Sequence, residues 1–160
     1  MDPQASSQRS PEATSANDEQ IRRLARGSYP AYTQVFGVLF TSLPERRAVL
    51  GELLANRQSI ARTFAYFNKG EVIGGLVFGD TDIYTAELAA AALLPEYRNQ
   101  GRGKQLLQTF EEDAAERGIK AVQLWAPNRD PSINWFKDRG YSKINLNYVP
   151  NGCVRMGKVL

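Results

Sequence analysis

The sequence predicts an α/β (α+β) chain: a mixed central sheet of about six or seven strands with helices on both faces. Three observations predict it. Ala61 to Phe67 and Val72 to Phe78 are rich in β-branched and aromatic residues, and Asn68-Lys69-Gly70 between them is good hairpin chemistry. Ala31 to Ser42 and Gly103 to Arg117 carry their large apolar residues at helical spacing. Ala86 to Leu94 is an apolar run with a single carboxylate, Glu87, and it leads through a glycine-bearing loop into the second of those helices. The whole order, β-αα-βββ-α-β-α-ββ, fits strands paired both antiparallel and parallel.

Taken in order, residues 1–18 are rich in Ser, Ala, Gln, Pro and acidic residues, so a disordered tail is expected there and a folded domain over 19–160. Glu19 to Gly27 holds Ile21 and Leu24 among arginines and reads as a short edge strand. Ala31 to Ser42 presents Val35, Phe36, Leu39 and Phe40 on a helix. Ser42-Leu43-Pro44-Glu45 restarts a helix, with Ser42 as its cap and Pro44 in its first turn. Val49, Leu50, Leu53 and Leu54 form its buried stripe. Gly74 and Gly75 break the side-chain wall of the second hairpin strand, which marks a bulge or close packing. The Gly103 to Arg117 helix turns Leu106, Leu107, Phe110 and Ala114 inward and ends at Gly118. Ala121 to Trp125 is a strand and Pro127 to Asp130 a loop. Ser132 to Arg139 is a helix stopped by Gly140, with Ile133, Trp135 and Phe136 available for packing. Tyr141 to Tyr148 and Val154 to Val159 close the sheet as an antiparallel pair around Pro150-Asn151-Gly152.

Composition narrows the chemistry. The 160 residues suffice for one sizeable core, and a 42% hydrophobic content is ordinary for a soluble protein. The net charge of +3 is too small to argue for nucleic acid, and no basic patch is interleaved with aromatics. Cys153 is the only cysteine, so no internal disulfide forms and a Cys-rich zinc site is excluded. There is no histidine, which removes Ser-His-Asp triads, Cys-His pairs and histidine metal sites. A general base must be a carboxylate, tyrosine, lysine or water. No apolar run approaches the ~20 residues of a membrane span, and the N-terminus lacks a signal-peptide core. A soluble, intracellular protein without metal or membrane is expected.

Pro95-Glu96-Tyr97-Arg98-Asn99-Gln100-Gly101-Arg102-Gly103-Lys104 opens the long helix. Free backbone N–H groups and the positive end of the helix dipole meet there, which suits phosphate or pyrophosphate. Gly101 and Gly103 let the backbone curl and approach a ligand closely. No Walker or dinucleotide fingerprint is present. An ordinary strand-to-helix turn is the plainer alternative. The loop Arg98 to Gly103, R-x-x-G-x-G, resembles the acyl-CoA pyrophosphate loop of the GNAT superfamily of N-acetyltransferases. Further stretches resemble the histone acetyltransferases of the general-control-nonderepressible and PCAF type. They are Gly70 to Phe78, Ala86-Glu87-Leu88-Ala89, and Asn134-Trp135-Phe136-Lys137-Asp138-Arg139-Gly140-Tyr141. The likeness covers roughly Tyr32 to Leu160. Ala90 and Ala91 depart from it, standing where that branch has larger residues, and the segment after Tyr148 is shorter.

The resemblance implies acetyl-CoA as cosubstrate, bound by the loop Arg98, Asn99, Gln100, Gly101, Arg102, Gly103 and Lys104. It implies that backbone N–H groups around Ala91, Ala92 and Leu93 face the thioester oxygen where strands splay. Asn128 lies where the CoA arm passes, unless it is only a turn residue. Phe136 lies against the pantetheine, in the place where many members carry an acidic tyrosine; Trp135 and Phe136 also fit a core role. Glu87 matches the catalytic glutamate and draws its proton through a water. An isolated carboxylate in an apolar strand is costly, and burial would raise its pKa toward that of a base. The alternative is a Glu87 that faces solvent or pairs with an arginine. Three functions follow: acetylation of a protein lysine, as on a histone tail; acetylation of a small amine such as a polyamine or aminoglycoside; or non-catalytic acyl-CoA binding. The first would place the chain in the nucleus, the second in the cytoplasm.

Overall fold

In the structure, a computed structural model, residues 18–128, 130–146 and 152–160 are described. Of the tail expected over residues 1–18, residues 1–17 lie outside the described residues, while Asp18 is described and its O accepts from Lys69 N–H at 2.7 Å; residues 129 and 147–151, which include Pro150 and Asn151 of the expected closing turn, also lie outside. The hairpin expectation holds at its tip. Lys69 and Gly70 both take positive φ, 52° and 81°, the twist a two-residue hairpin loop needs, and Asn68 pairs with Glu71. This joins β2 (Thr63–Asn68) to β3 (Glu71–Asp80), and β4 (Thr85–Leu93) pairs antiparallel with β3.

Among the described residues seven strands form one sheet in the order β1-β2-β3-β4-β5-β7-β6, with β1 Glu19–Arg23, β5 Ala121–Pro127, β6 Ser142–Lys143 and β7 Cys153–Val159. All pairs are antiparallel except β4 with β5. Helices α1 (Tyr29–Ser42) and α2 (Arg47–Ala55) pack on one face through Val35, Phe36, Leu39 and Leu50. Helix α3 (Arg102–Glu116) packs on the other through Leu106, Leu107, Phe110 and Ala114. Phe110 is fully buried against Phe64 and Phe78, with ring centroids 6.2 and 5.2 Å away, a burial worth about 2 kcal/mol. Helix α4 (Ser132–Lys137) completes the elements, with 3₁₀ turns at Pro44–Arg46, Arg57–Arg62 and Pro95–Tyr97.

Gly74 and Gly75 mark both features expected of them. The β2–β3 register slips beside Gly74, leaving Ile73 unpaired. A Cβ on Gly74 would lie 2.8 Å from Leu93 Cα, and one on Gly75 2.7 Å from Val35 Cγ1, so only glycine lets β4 and α1 come this close.

Some expectations are corrected. Ser42 caps nothing; it is the last residue of α1, and Leu43 precedes the 3₁₀ turn begun by Pro44. Val49 is 43% exposed while Leu50 is sealed, because α2 rests on the sheet side along a narrower stripe than its sequence offers. Pro127 ends β5 rather than opening a loop. The closing pair is short: among the described residues only Ser142 and Lys143 pair with Gly157 and Met156.

Candidate active site

The site begins with a fault in the sheet. On β4, Ala90 pairs with Val77 and Leu88 with Phe78, so Ala89 is an extra residue, a β-bulge. The bulge swaps faces: Leu88 joins the α3 side of the core and Ala90 the α1 side. On its other edge β4 pairs with β5 only through Thr85, Ala86 and Glu87, opposite Ala121, Val122 and Gln123. Beyond Glu87 the two strands diverge, which frees the β5-facing backbone of Leu88 to Leu93.

A cleft of about 720 Å³ opens along this divergence and runs to the start of α3. Ala91, Ala92, Leu93, Arg98, Asn99, Gly101, Gly103, Lys104 and Phe136, all expected at the site, line it. Asn99 and Gly101 adopt positive φ of 62° and 86°, which curls the loop and aims the chain into α3. No side chain caps this helix, and Gln105 N–H closes its first turn on Gly101 O at 3.1 Å. The N–H groups of Arg102, Gly103 and Lys104 thus face forward without intrahelical acceptors. Arg98 braces the loop: its Nε donates to Leu93 O at 2.8 Å and its Nη2 to Ser42 Oγ at 3.1 Å.

Four expected site residues are not in the cleft wall: Arg102, Gln100, Asn128 and Glu87. Arg102 turns away to Glu19, donating through Nη2 to Oε2 at 2.7 Å and through Nε to Oε1 at 3.1 Å, and its Nη1 donates to Gln100 Oε1 at 2.7 Å. That network takes Gln100 with it. Asn128 is exposed beyond β5, its N–H donating to Gly152 O at 2.6 Å. The arginine beside Glu19 holds its carboxyl below the usual range. The Tyr66 hydroxyl, 3.0 Å from Glu19 Oε1 and 2.6 Å from Gln105 Oε1, is pushed up to about 12, first by burial.

Other lining residues were missed as site residues. Ser132, Trp135 and Arg139 lie, together with the expected Phe136, at helical spacing on one face of the α4 region, a signal legible in the sequence. The Arg139 guanidinium stacks 3.8 Å from the Trp135 ring, and a Cβ on Gly103 would touch that ring at 3.4 Å. Phe136 stands edge-on to Tyr141, at 5.3 Å. The Tyr141 hydroxyl donates to Glu111 Oε2 at 2.7 Å, and burial first, then Glu111, holds its pKa far above the ordinary range.

Glu87 is 28% exposed and is not isolated. Arg155 Nη2 donates to its Oε1 at 2.8 Å and to Gln123 Oε1 at 2.9 Å. The desolvated, unpaired carboxylate expected from the apolar strand is therefore corrected: β7 lies beside β5 and brings Arg155 to it. The Arg155 guanidinium stacks 4.6 Å from the Trp125 ring. Glu87, Gln123, Trp125 and Arg155 share the sheet face opposite α3, adjacent to the bulge.

Among the described residues no cluster of metal-ligating side chains is assembled, and no helix is long and apolar enough to cross a membrane. Comparison with known proteins agrees with this layout. The model of the acetyltransferase (GNAT) family matches residues 19–141. An amino-acid acetyltransferase of Aeromonas salmonicida is 34% identical over 82 residues, 48% of this chain and 18% of that protein. One from Pseudomonas paraeruginosa is 35% identical over 69 residues, 43% of this chain and 15% of that protein. The chain thus spans less than a fifth of the length of these curated relatives. Among solved structures, Ard1 from Thermoplasma volcanium superposes with a TM-score of 0.71 at 21% identity, covering 89% of this chain and 98% of that one. The PaiA N-acetyltransferase of Thermoplasma acidophilum, in complex with coenzyme A, gives 0.70 at 17% identity, covering 89% and 99%. Tetrahymena GCN5 gives 0.70 at 20%, covering 89% and 95%. With its bulged β4, its splayed β5 and its open helix N-terminus, the chain belongs to the GNAT family of acetyltransferases, whose acetyl donor is acetyl-CoA.

Proposed function

We propose that residues 19–160 form an N-acetyltransferase that binds acetyl-CoA and an amine together, with Glu87 as the base. One observation carries this reading: a single strand, β4, ends in an uncapped helix N-terminus suited to an anion and begins its divergence from β5 at a carboxylate. The residues fit the donor. Forward-facing N–H groups of α3 and the Lys104 ammonium suit a pyrophosphate, and Trp135 and Phe136 offer an apolar wall to the pantetheine.

Bound there, acetyl-CoA supplies a thioester: the amine nitrogen bonds to the carbonyl carbon as the C–S bond breaks and CoA leaves as thiolate. The chain's own residues do the rest. A primary amine with the ordinary lysine pKa of ~10.4 is mostly protonated at neutral pH, so it must lose a proton before it can attack. Glu87 takes that proton through a water. Backbone N–H groups among Ala91, Ala92 and Leu93 turn toward the diverging edge and donate to the carbonyl oxygen. Phe136 packs without supplying a proton, since a phenyl ring has none to give.

For the acceptor we favour a small amine. The curated relatives are named amino-acid acetyltransferases, and Ala91 leaves its part of the cleft wall free of bulk. This reading goes with a cytoplasmic protein. The second reading, a lysine of a histone-like protein and hence a nuclear enzyme, is supported by the Ala86-Glu87 strand, by Phe136 and by the likeness to Tetrahymena GCN5.

The test is CoA release from acetyl-CoA with amino acids, with spermine and with a lysine peptide, for the natural chain and for Glu87→Gln. Turnover that falls ~10²-fold or more in the variant while acetyl-CoA still binds supports the base. Binding of acetyl-CoA without turnover on any amine would leave only an acyl-CoA-binding domain.

A further inference from the structure

Arg155 lies on the sheet face that carries Glu87, and one of its donors is unused among the described residues. It is nine-tenths buried, with a relative exposure of 9%. Nη2 serves both Glu87 and Gln123, yet Nη1 is buried and has no hydrogen-bond partner among the described residues. A buried donor is normally paired, and a buried cationic donor more strictly so. The stacking on Trp125 and the bonds to two side chains hold the guanidinium in one orientation. A planar guanidinium with one edge free is the natural partner of a carboxylate.

From this we infer that Arg155 anchors a carboxylate on the acceptor, so that the substrate is an amine carrying its own carboxylate nearby, as an amino acid does. The inference rests on the reading that Glu87 takes the proton of that amine. Glu87 and the free Nη1 belong to one hydrogen-bonded group, with Nη2 only 2.8 Å from Glu87 Oε1. Carboxylate on Nη1 and amine toward Glu87 is then one pose. A polyamine offers Arg155 no acceptor and meets it as a like charge. A basic peptide tail does the same, because its lysine amine is far from any terminal carboxylate. Charge also explains why Glu87 is paired beforehand: with the substrate absent, Glu87 is the one carboxylate paired with Arg155 among the described residues. An arriving carboxylate shares that guanidinium and loosens the hold on Glu87, which then accepts a proton.

The experiment compares amino acids with the amines left by removing their carboxylate, on the full chain with acetyl-CoA. The pairs are lysine with cadaverine, arginine with agmatine, and leucine with isoamylamine, with spermine and a lysine peptide alongside. We expect kcat/KM at least ~10-fold higher for the best amino acid than for its carboxylate-free partner. Arg155→Gln should raise the acceptor KM ~10-fold or more and erase that ratio, with the KM for acetyl-CoA unchanged. Arg155→Lys should restore part of the ratio. A merely structural Arg155 would lower turnover on both members of each pair alike and leave the ratio standing, which overturns the inference. Better turnover on spermine, the peptide or the carboxylate-free amines overturns it too, while leaving the transferase reading intact. Turnover on no amine, with acetyl-CoA bound, overturns both.

Discussion

Two glutamate–arginine pairs lie on this sheet, and they differ in how completely each arginine is used. Arg102 grips both oxygens of Glu19 and gives its remaining arm to Gln100. Arg155 gives one nitrogen to both Glu87 and Gln123 and leaves Nη1 without a partner among the described residues. The first pair ties the edge strand β1 to the start of α3 and is finished. The second stands beside the β4–β5 divergence and is unfinished. A saturated ion pair is what a latch requires, whereas an unsaturated one beside diverging strands is what a ligand can complete. Proximity of opposite charges does not separate the two; the count of unused donors does.

The sharpest way to break this contrast is to neutralise each glutamate in turn. Glu87→Gln should lower kcat ~10²-fold or more at neutral pH without weakening acetyl-CoA binding, whereas Glu19→Gln should leave kcat within about twofold. Steady-state kinetics on the best amine read both, and equal losses would erase the distinction. Next in size are the cations of the loop. Lys104→Ala should raise the KM for acetyl-CoA several-fold, roughly 1 kcal/mol of binding, with the melting temperature held, because Lys104 lines the cleft and is exposed. Arg102→Ala should do the reverse and cost about 1 kcal/mol of stability, or ~2 to 4 °C in Tm, with the KM for acetyl-CoA unchanged. A raised KM with an unchanged Tm would return Arg102 to the pyrophosphate.

The smallest effect is in the acid limb. The Glu19 carboxyl is held below its unfolded value by Arg102 first, so it contributes stability above the ordinary carboxylate range and loses it as the pH falls through the depressed value. Thermal melts from pH 6 downward to pH 3 should show a steeper decline for the natural chain than for Glu19→Gln. Parallel curves would mean that the pair contributes nothing measurable.

Much of the architecture was legible because it is local. The Asn68-Lys69-Gly70 turn, the Leu106, Leu107, Phe110 and Ala114 stripe and the stop at Gly118 each depend on neighbours within a few residues, and each stands where expected, whereas α4 ends at Lys137, two residues before the expected Arg139. The lining role of Asn99, Gly101, Gly103 and Lys104 was equally legible, because a strand, loop and helix in succession fix where the free N–H groups point. Ser42 was misread for the same reason in reverse: its local pattern fits a cap, but α1 runs through it and its hydroxyl serves Arg98.

By itself the sequence determined the order of elements, the anion-ready loop and the single carboxylate of the central strand, since periodicity and turn chemistry act over short stretches of chain. Only the tertiary structure decided which charges meet. Glu19 and Arg102 are 83 residues apart and Glu87 and Arg155 are 68 apart. Their partnerships depend on β1 lying at the sheet edge and on β7 inserting between β5 and β6. A guanidinium binds whichever carboxylate the strand order brings within ~3 Å, and in this chain that order drew Arg102 off the cleft and set Arg155 beside Glu87.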